Sequence, residues 1–376
     1  MKHVVILGAG FGGLELASRL SEKLANELRI TLIDQNDGFT FGFAKLGIVF
    51  DGKSADEVRI PYRDLAKPGV EFRQELITAI DPAARRVTTG QGTYDADILV
   101  VALGAEYDVD ATPGLAEGGL EYYSIAGAER MRDALPAFTG GTILIGVLGQ
   151  PFKCPPAPFE GAFLLHDQLV GRGIRDETEI RVIAPMSAPV PVTPEVSQQF
   201  LDELTARGIE YVGNTRVAAL DPETNEAILE SGERVPYDLF VGIPIHRVPA
   251  VVAESGLAGN GWVGVDRDTL TTPFPGVYAV GDVVAIPMAK AGVFAENAAG
   301  VVADNIIAAH RGDPPGRRYE GEGNCYLEFG GGRVAKVEAN FLGGPSPTAR
   351  LVGPSEVLAA DKQAFGVERR ARWFGS

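Results

Sequence analysis

Cysteine is almost absent from this 376-residue chain, which has only Cys154 and Cys325. Two thiols so far apart are no structural staple in a reducing compartment, and they exclude a disulfide-dense scaffold. Histidine is scarce too, at four residues. No zinc, haem or iron–sulfur spacing exists, and the isolated His166 and His246 read as structural. Basic charge is in deficit: 34 Lys and Arg stand against 50 Asp and Glu, a net charge of −16. That balance argues against a nucleic-acid partner, because neutralising phosphates needs clustered Lys and Arg. It equally disfavours docking of the whole protein to an anionic membrane. No apolar stretch approaches the ~20 residues of a spanning helix. The first apolar run, Val4-Val5-Ile6-Leu7, has neither the charged lead nor the cleavage site of a signal peptide. The expectation is a cytoplasmic protein, at most peripheral on the inner face of a membrane.

The chain is rich in glycine, with 47, and long enough for two or three domains. Residues 3–34 read as strand, glycine turn, helix, strand. Apolar runs at 94–105, 142–145, 179–183 and 237–243 are short and bounded by glycine, as buried parallel strands are. Helical spacing appears at 195–207 and 292–309, and a hairpin is expected within 221–234. The stretch 39–50 is aromatic and glycine-rich without a clear period. Because 237–243 repeats the pattern of 94–104, it reads as a return to the first domain. The predicted class is α/β, with two Rossmann-like dinucleotide-binding domains, the second degenerate, and a small C-terminal α+β domain. The boundaries follow as 1–106 with 235–312, then 107–234 carrying Cys154, then 313–376 carrying Cys325 after a Gly/Pro linker at 312–316. The tail predicts strands at 326–329 and 334–341 and a last helix.

Gly8, Gly10 and Gly13 form G-x-G-x-x-G between a strand and a helix. The first permits the tight turn, the second admits a pyrophosphate and the third lets the helix pack on the strand. With Phe11 and Gly12, they open a helix whose N-terminus favours phosphate. Asp34, closing the second strand, is placed to accept from ribose hydroxyls and would repel a 2′-phosphate. From this motif alone the dinucleotide is FAD or NAD.

The strand 94–104, with Ala102 and Gly104 at its exit, and the segment Thr272-Pro273-Phe274-Pro275-Gly276-Val277-Tyr278-Ala279-Val280-Gly281-Asp282 resemble the two-dinucleotide-binding flavoproteins. That resemblance implies FAD, with Gly281 and Asp282 at the ribityl chain and the helix after Lys290 aimed at the flavin ring. The second unit, Gly146-Val147-Leu148-Gly149-Gln150-Pro151, has no third glycine, and Pro151, Pro155, Pro156 and Pro158 crowd the place of a phosphate-binding helix. A nicotinamide donor is therefore not expected.

The segments around the cysteines, Gln150 to Ala162 and Glu322 to Phe329, resemble the sulfide:quinone oxidoreductase and flavocytochrome c sulfide dehydrogenase family. So does Lys290-Ala291-Gly292. The resemblance implies that Cys154 and Cys325 face the flavin and handle sulfur. Hydrosulfide would attack their disulfide, leaving a persulfide and a thiolate, and the thiolate would pass the electron pair to the flavin at C4a. Lys153 is expected to favour thiolate, and Glu160 to shuttle protons from a raised pKa. A third cysteine found in many quinone-linked members is missing here. So is any cysteine in 39–50 that could attach flavin covalently, which implies non-covalent FAD. The implied partners are a small sulfur substrate and a quinone acceptor, with room for a homo-oligomer. Arg369, Arg370 and Arg372 beside Trp373 and Phe374 suggest either a helix seated at a membrane surface or one packing its aromatics on the body. The alternatives for function are a single-subunit NADH:quinone-type dehydrogenase and a non-enzymatic flavin-dependent sensor.

Overall fold

A computed structural model describes residues 1–314 and 316–375. Strands apolar on both faces need helices on both sides, and parallel neighbours need crossovers. Lys2–Leu7 accordingly lies between Leu28–Asp34 and Ile98–Val101, with Val70–Gln74 and Val277–Ala279 at the edges, every pair parallel. Val4, Val5, Ile6 and Leu7 are fully buried. The helices Phe11–Leu24 and Gly292–Arg311 pack against each other beside this sheet.

The second sheet joins Ile209–Val212, Thr178–Ile183, Gly141–Val147 and Leu239–Ile243, again parallel. This corrects the reading of 237–243. Its likeness to 94–104 marks an equivalent place in a second βαβ unit rather than a return to the first, and Leu239–Ile243 bonds along Gly141–Val147. The chain crosses back only after Ile245–Arg247, which pairs antiparallel with the outgoing Glu106–Asp108. The boundary at 235 moves accordingly.

In the aperiodic stretch, Gly38–Thr40 pairs with Arg59–Pro61, and Ala44–Phe50 is a helix too short to show a period. The tail forms a three-stranded antiparallel sheet of Glu322–Glu328, Val334–Asn340 and Thr348–Ser355, followed by the helix Val357–Phe374. The third strand was not expected: Gly353 and Pro354 weaken its pattern, and it lies at the sheet edge where proline is tolerated. Of the linker at 312–316, Pro315 lies outside the described residues.

The last helix settles how its aromatics are used. Trp373 and Phe374 are buried on the first domain, and the Trp373 indole donates to Glu15 Oε2 at 3.0 Å. Arg372 bonds the same buried carboxylate at 2.7 Å, and Arg369 bonds Glu296 at 3.2 Å. Burial raises the Glu15 carboxyl, but bonds from Arg372, Arg19 and Trp373 outweigh it and hold the group below its ordinary value. A membrane seat built on Trp373 and Phe374 is thereby corrected, since apolar surface already buried on the body cannot also enter lipid.

Candidate active site

A cavity of about 1130 Å³ opens along the C-terminal ends of the first sheet and reaches the proline-rich loop and the C-terminal sheet. Roughly 300–1,000 Å³ is usual for a small-molecule site, so an extended ligand is indicated.

Its first end is the glycine turn. Gly8 has φ +95°, and a Cβ there would meet the Ala102 carbonyl oxygen at 2.5 Å. A Cβ on Gly13 would fall 1.8 Å from the Gly8 carbonyl oxygen, so Gly13 serves helix–strand packing and does not line the cavity. Gly10 differs: a Cβ there meets nothing within 4 Å, leaving its backbone open to the cavity. The helix behind it has no capping side chain and no acidic residue in its first turn, so its N–H groups are available to a phosphate. Asp34 lines the cavity and orders the turn, accepting from the Ala9 N–H at 2.7 Å and the Asn36 N–H at 2.9 Å. Phe11 and Gly12 line this end, Ala102 and Gly104 the middle, and Gly281 and Asp282 the far part. Asp282 is raised by burial, with Lys153 and Lys290 opposing. A second uncapped helix N-terminus, at Gly292, faces the same space. Turn, acid, two helix ends and buried aspartate fit an adenine dinucleotide carrying a flavin.

Lys290 does not line this cavity. Its ammonium turns inward to the carbonyls of Asp282 at 2.6 Å and Val284 at 3.2 Å, and lies 3.6 Å from the Trp262 ring centroid. Burial brings it down to about 8. The family resemblance implies a cofactor-binding Lys290, but its ammonium is taken up by these carbonyls instead. Its backbone has a different use: the Lys290 carbonyl accepts from the Cys154 N–H at 2.7 Å, tying the cysteine loop to the helix at Gly292.

At the other end the structure brings Cys154, Cys325 and Glu160 onto the same cavity. Both cysteines are free thiols. Cys154 has φ +51° and stands just before the helix Ala157–Gly171; Cys325 lies on the strand Glu322–Glu328. Glu160, in the first turn of that helix, is buried. Its Oε2 accepts from Cys154 Sγ at 3.9 Å, and its Oε1 from the Glu328 N–H at 2.8 Å. Burial pushes this carboxyl up to about 7, against the pull of Lys362 and the Glu328 N–H. Burial, then Glu160, then Cys325 drive the Cys154 thiol well up, while the Ala157 N–H and Lys362 pull the other way. Burial, Glu160 and Asp282 bring Cys325 to about 12. Lys153 is not the cation that assists Cys154. It donates to the Ala105 carbonyl at 2.6 Å and lies 4.7 Å from the Tyr107 ring, so the expectation of a thiolate favoured by Lys153 is corrected.

The loop between Gly141–Val147 and the helix at Ala157 is no nucleotide cradle. A Cβ on Gly146 would meet the Phe240 ring at 2.6 Å, and one on Gly149 would meet Ile245 at 2.9 Å. These glycines serve side-chain packing, and Pro156 caps the following helix without a side-chain bond. Among the described residues no group of His, Cys, Asp and Glu is arranged to hold a metal ion. His246 is buried, its Nδ1 2.7 Å from the Pro244 carbonyl, and burial takes it down to about 3.

Sequence reasoning missed three cavity residues, Lys45, Tyr107 and Tyr123, and two behind them. Lys45, Tyr107, Tyr123 and Lys153 form a cationic, aromatic corner, in which Tyr123 Oη donates to the Lys153 carbonyl at 2.9 Å. Glu328 and Lys362 stand behind Glu160. Lys362 had a legible signal: with Leu358 and Phe365 it falls at i, i+4, i+7 on the buried stripe of its helix, where an apolar residue belongs.

Comparison with known proteins agrees with this layout. The model of a family described as pyridine nucleotide-disulphide oxidoreductase matches residues 2–300. The solved sulfide:quinone oxidoreductase of Aquifex aeolicus superposes with a TM-score of 0.86 at 26% identity, covering 99% of this chain and 92% of that one. The curated sulfide-quinone reductase of Aquifex aeolicus is 28% identical over 88% of this chain and 81% of its own length. The mitochondrial sulfide:quinone oxidoreductase of Mus musculus is 24% identical over 92% and 80%.

Proposed function

The chain belongs to the pyridine nucleotide-disulphide oxidoreductase family, and from that premise we propose that it is an FAD-dependent enzyme oxidising sulfide, or a related sulfur species, and reducing a quinone. One observation carries the reading: two cysteines and a buried carboxyl meet on the cavity that begins at the dinucleotide turn. FAD, held there, would supply a two-electron carrier between the sulfur site and a quinone. Gly8, Gly10, Phe11, Gly12, Asp34, Ala102, Gly104, Gly281 and Asp282 would hold FAD, and Gly13 would support the turn from behind. Binding is non-covalent, since the chain's two cysteines are both committed to sulfur and none falls in 39–50.

The remaining chemistry belongs to the protein's own groups. Cys154 and Cys325 are free thiols as they stand; joining them as a disulfide would release two protons and two electrons to the flavin that the site would hold, after which hydrosulfide attacks one sulfur, forming a persulfide there and expelling the other as thiolate. A thiol driven up by burial leaves poorly as a bare anion. Glu160, near-neutral in its titration and 3.9 Å from Cys154 Sγ, donates a proton to that sulfur and recovers it later. The cationic corner at Lys45 and Lys153 favours entry of an anionic sulfur species. No helix among the described residues is long and apolar enough to cross a membrane, and the site of action we propose is cytoplasmic and peripheral to the inner membrane face, where quinone is reached.

The test is a donor and acceptor screen on the purified protein, which should be yellow. Sulfide should bleach the flavin, NADH should not, and a soluble quinone should restore the colour. Bleaching by NADH with indifference to sulfide would replace this reading by an NADH dehydrogenase. Slow turnover with every donor would point to a flavin-dependent sensor.

A further inference from the structure

Burying a lysine in an apolar helix stripe is costly unless an opposite charge meets it. Lys362 is 7% exposed, at such a position on the helix Val357–Phe374. Its ammonium reaches over the Phe43 ring, 5.1 Å from the centroid, and ion-pairs with Glu328. Glu328 is three residues past Cys325, at the end of an edge strand. The N–H of this same residue donates to Glu160 Oε1 at 2.8 Å, while the other oxygen of Glu160 accepts from Cys154. A continuous line therefore runs from the last helix, through the strand of Cys325, to the carboxyl beside Cys154.

We propose that Lys362 and Glu328 are positioning residues for the sulfur chemistry: Glu328 seats the Glu160 carboxyl against Cys154, and Lys362 supplies the opposite charge against which Glu160 gives up its proton. The inference rests on the reading of Cys154, Cys325 and Glu160 as the reacting site. It assigns the C-terminal helix a part in chemistry that neither dinucleotide domain supplies.

The charged and titratable groups facing Glu160 come from four places. Cys154 lies on its own approach loop, Cys325 and Glu328 on the strand, Lys362 on the last helix, and Tyr122 and Tyr123 on the segment before the helix Ile125–Ala134. Both tyrosines are driven well above their ordinary value, by burial first, so they stay neutral. Of the rest, Lys362 is the cation that pulls Glu160 down, and Glu328 is an anion that pushes it up. The two side-chain charges therefore act on Glu160 with opposite sign, while the Glu328 N–H pulls it down as well.

The experiment titrates the Glu160 carboxyl in the holoprotein by infrared difference spectroscopy, its band assigned by loss in Glu160→Gln. Lys362→Met keeps the length of the side chain and removes the charge, and should move the midpoint up by about one pH unit, the scale of a single neighbouring charge. Lys362→Arg should restore it, and Glu328→Gln should move it down. With a midpoint near neutrality, one unit upward changes the ionised fraction at pH 7 from about half to about a tenth, so steps needing carboxylate slow about fivefold. An unmoved midpoint in Lys362→Met, or shifts of the same sign in Lys362→Met and Glu328→Gln, would overturn the proposal. Opposed shifts in a protein that sulfide fails to bleach would uphold it and defeat the sulfide reading instead.

Discussion

Replacing Glu160 by glutamine perturbs the site while leaving both cysteines in place, and its consequence for stability can be worked out from the position of its titration. The carboxyl is 3% exposed, and it rises from an ordinary 4.5 to about 7 because burial penalises its charged form. In the unfolded chain it ionises at its ordinary value. The folded state holds its proton longer, so the contribution to stability is fully present below about 4.5 and is lost as pH rises through about 7. The whole span corresponds to about 3 kcal/mol. Between pH 5.5 and pH 8, a window clear of the isoelectric point near 4.8, about 2 kcal/mol of it is lost. Glutamine is neutral throughout and its side-chain oxygen can still accept from Glu328. Glu160→Gln should therefore gain on the wild type by about 2 kcal/mol across that window. The assay is urea unfolding of both proteins at several pH values with FAD in excess, comparing midpoints at equal slopes. A wild-type-minus-variant difference that stays flat from pH 5.5 to 8 would refute the buried, proton-holding carboxyl on which the mechanism depends. In the same variant, sulfide-dependent bleaching at neutral pH should fall roughly 10²–10⁴-fold, the usual worth of a placed acid–base group.

Cys154→Ser and Cys325→Ser should each abolish sulfide-dependent bleaching while retaining FAD, since neither thiol belongs to the glycine turn; full activity in either would return both to inert buried thiols. Denaturation of the native protein should release all its flavin, and colour retained on the precipitated chain would contradict non-covalent binding. Trp373→Ala removes a fully buried indole, and about 3–5 kcal/mol is expected from the cavity and lost packing. Because that indole packs edge-to-face on Phe11 and Phe39, with centroids at 5.3 and 5.4 Å, FAD should dissociate more readily, and equilibrium dialysis would expose an unchanged affinity.

Periodicity and glycine placement carried most of the architecture. The strand runs near 3–7, 29–34, 94–105, 142–145 and 179–183, the helices 195–207 and 292–309, and the opening G-x-G-x-x-G were legible because each depends on neighbours a few residues away, whereas Val70–Gln74, Ile209–Val212 and Val277–Ala279 were not read as strands. The assignment of 237–243 went to the wrong sheet for the same reason: local pattern states that a strand is buried, not which sheet buries it. Cys154, Cys325 and Glu160 stood out by residue type and by the segments around them. Lys290 was given a role toward flavin by the resemblance of Lys290-Ala291-Gly292, and Lys153 one toward thiol by standing next to Cys154. Their long side chains swing instead to the carbonyls of Asp282 and Ala105, a choice made by rotamer and packing.

By itself the sequence determined a dinucleotide turn with an acid at the end of the next strand, a second unit whose glycine motif is broken by proline, and the scarcity that makes two cysteines conspicuous. Those are statements about bond geometry and residue chemistry, complete within short segments. Only the tertiary structure decided that residues 154, 160 and 325 meet on one cavity, that a lysine of the last helix stands behind the carboxyl, and that Trp373 closes on Glu15. These meetings join segments far apart in the chain, and burial, which sets each group's charge, exists only once the chain has closed around it.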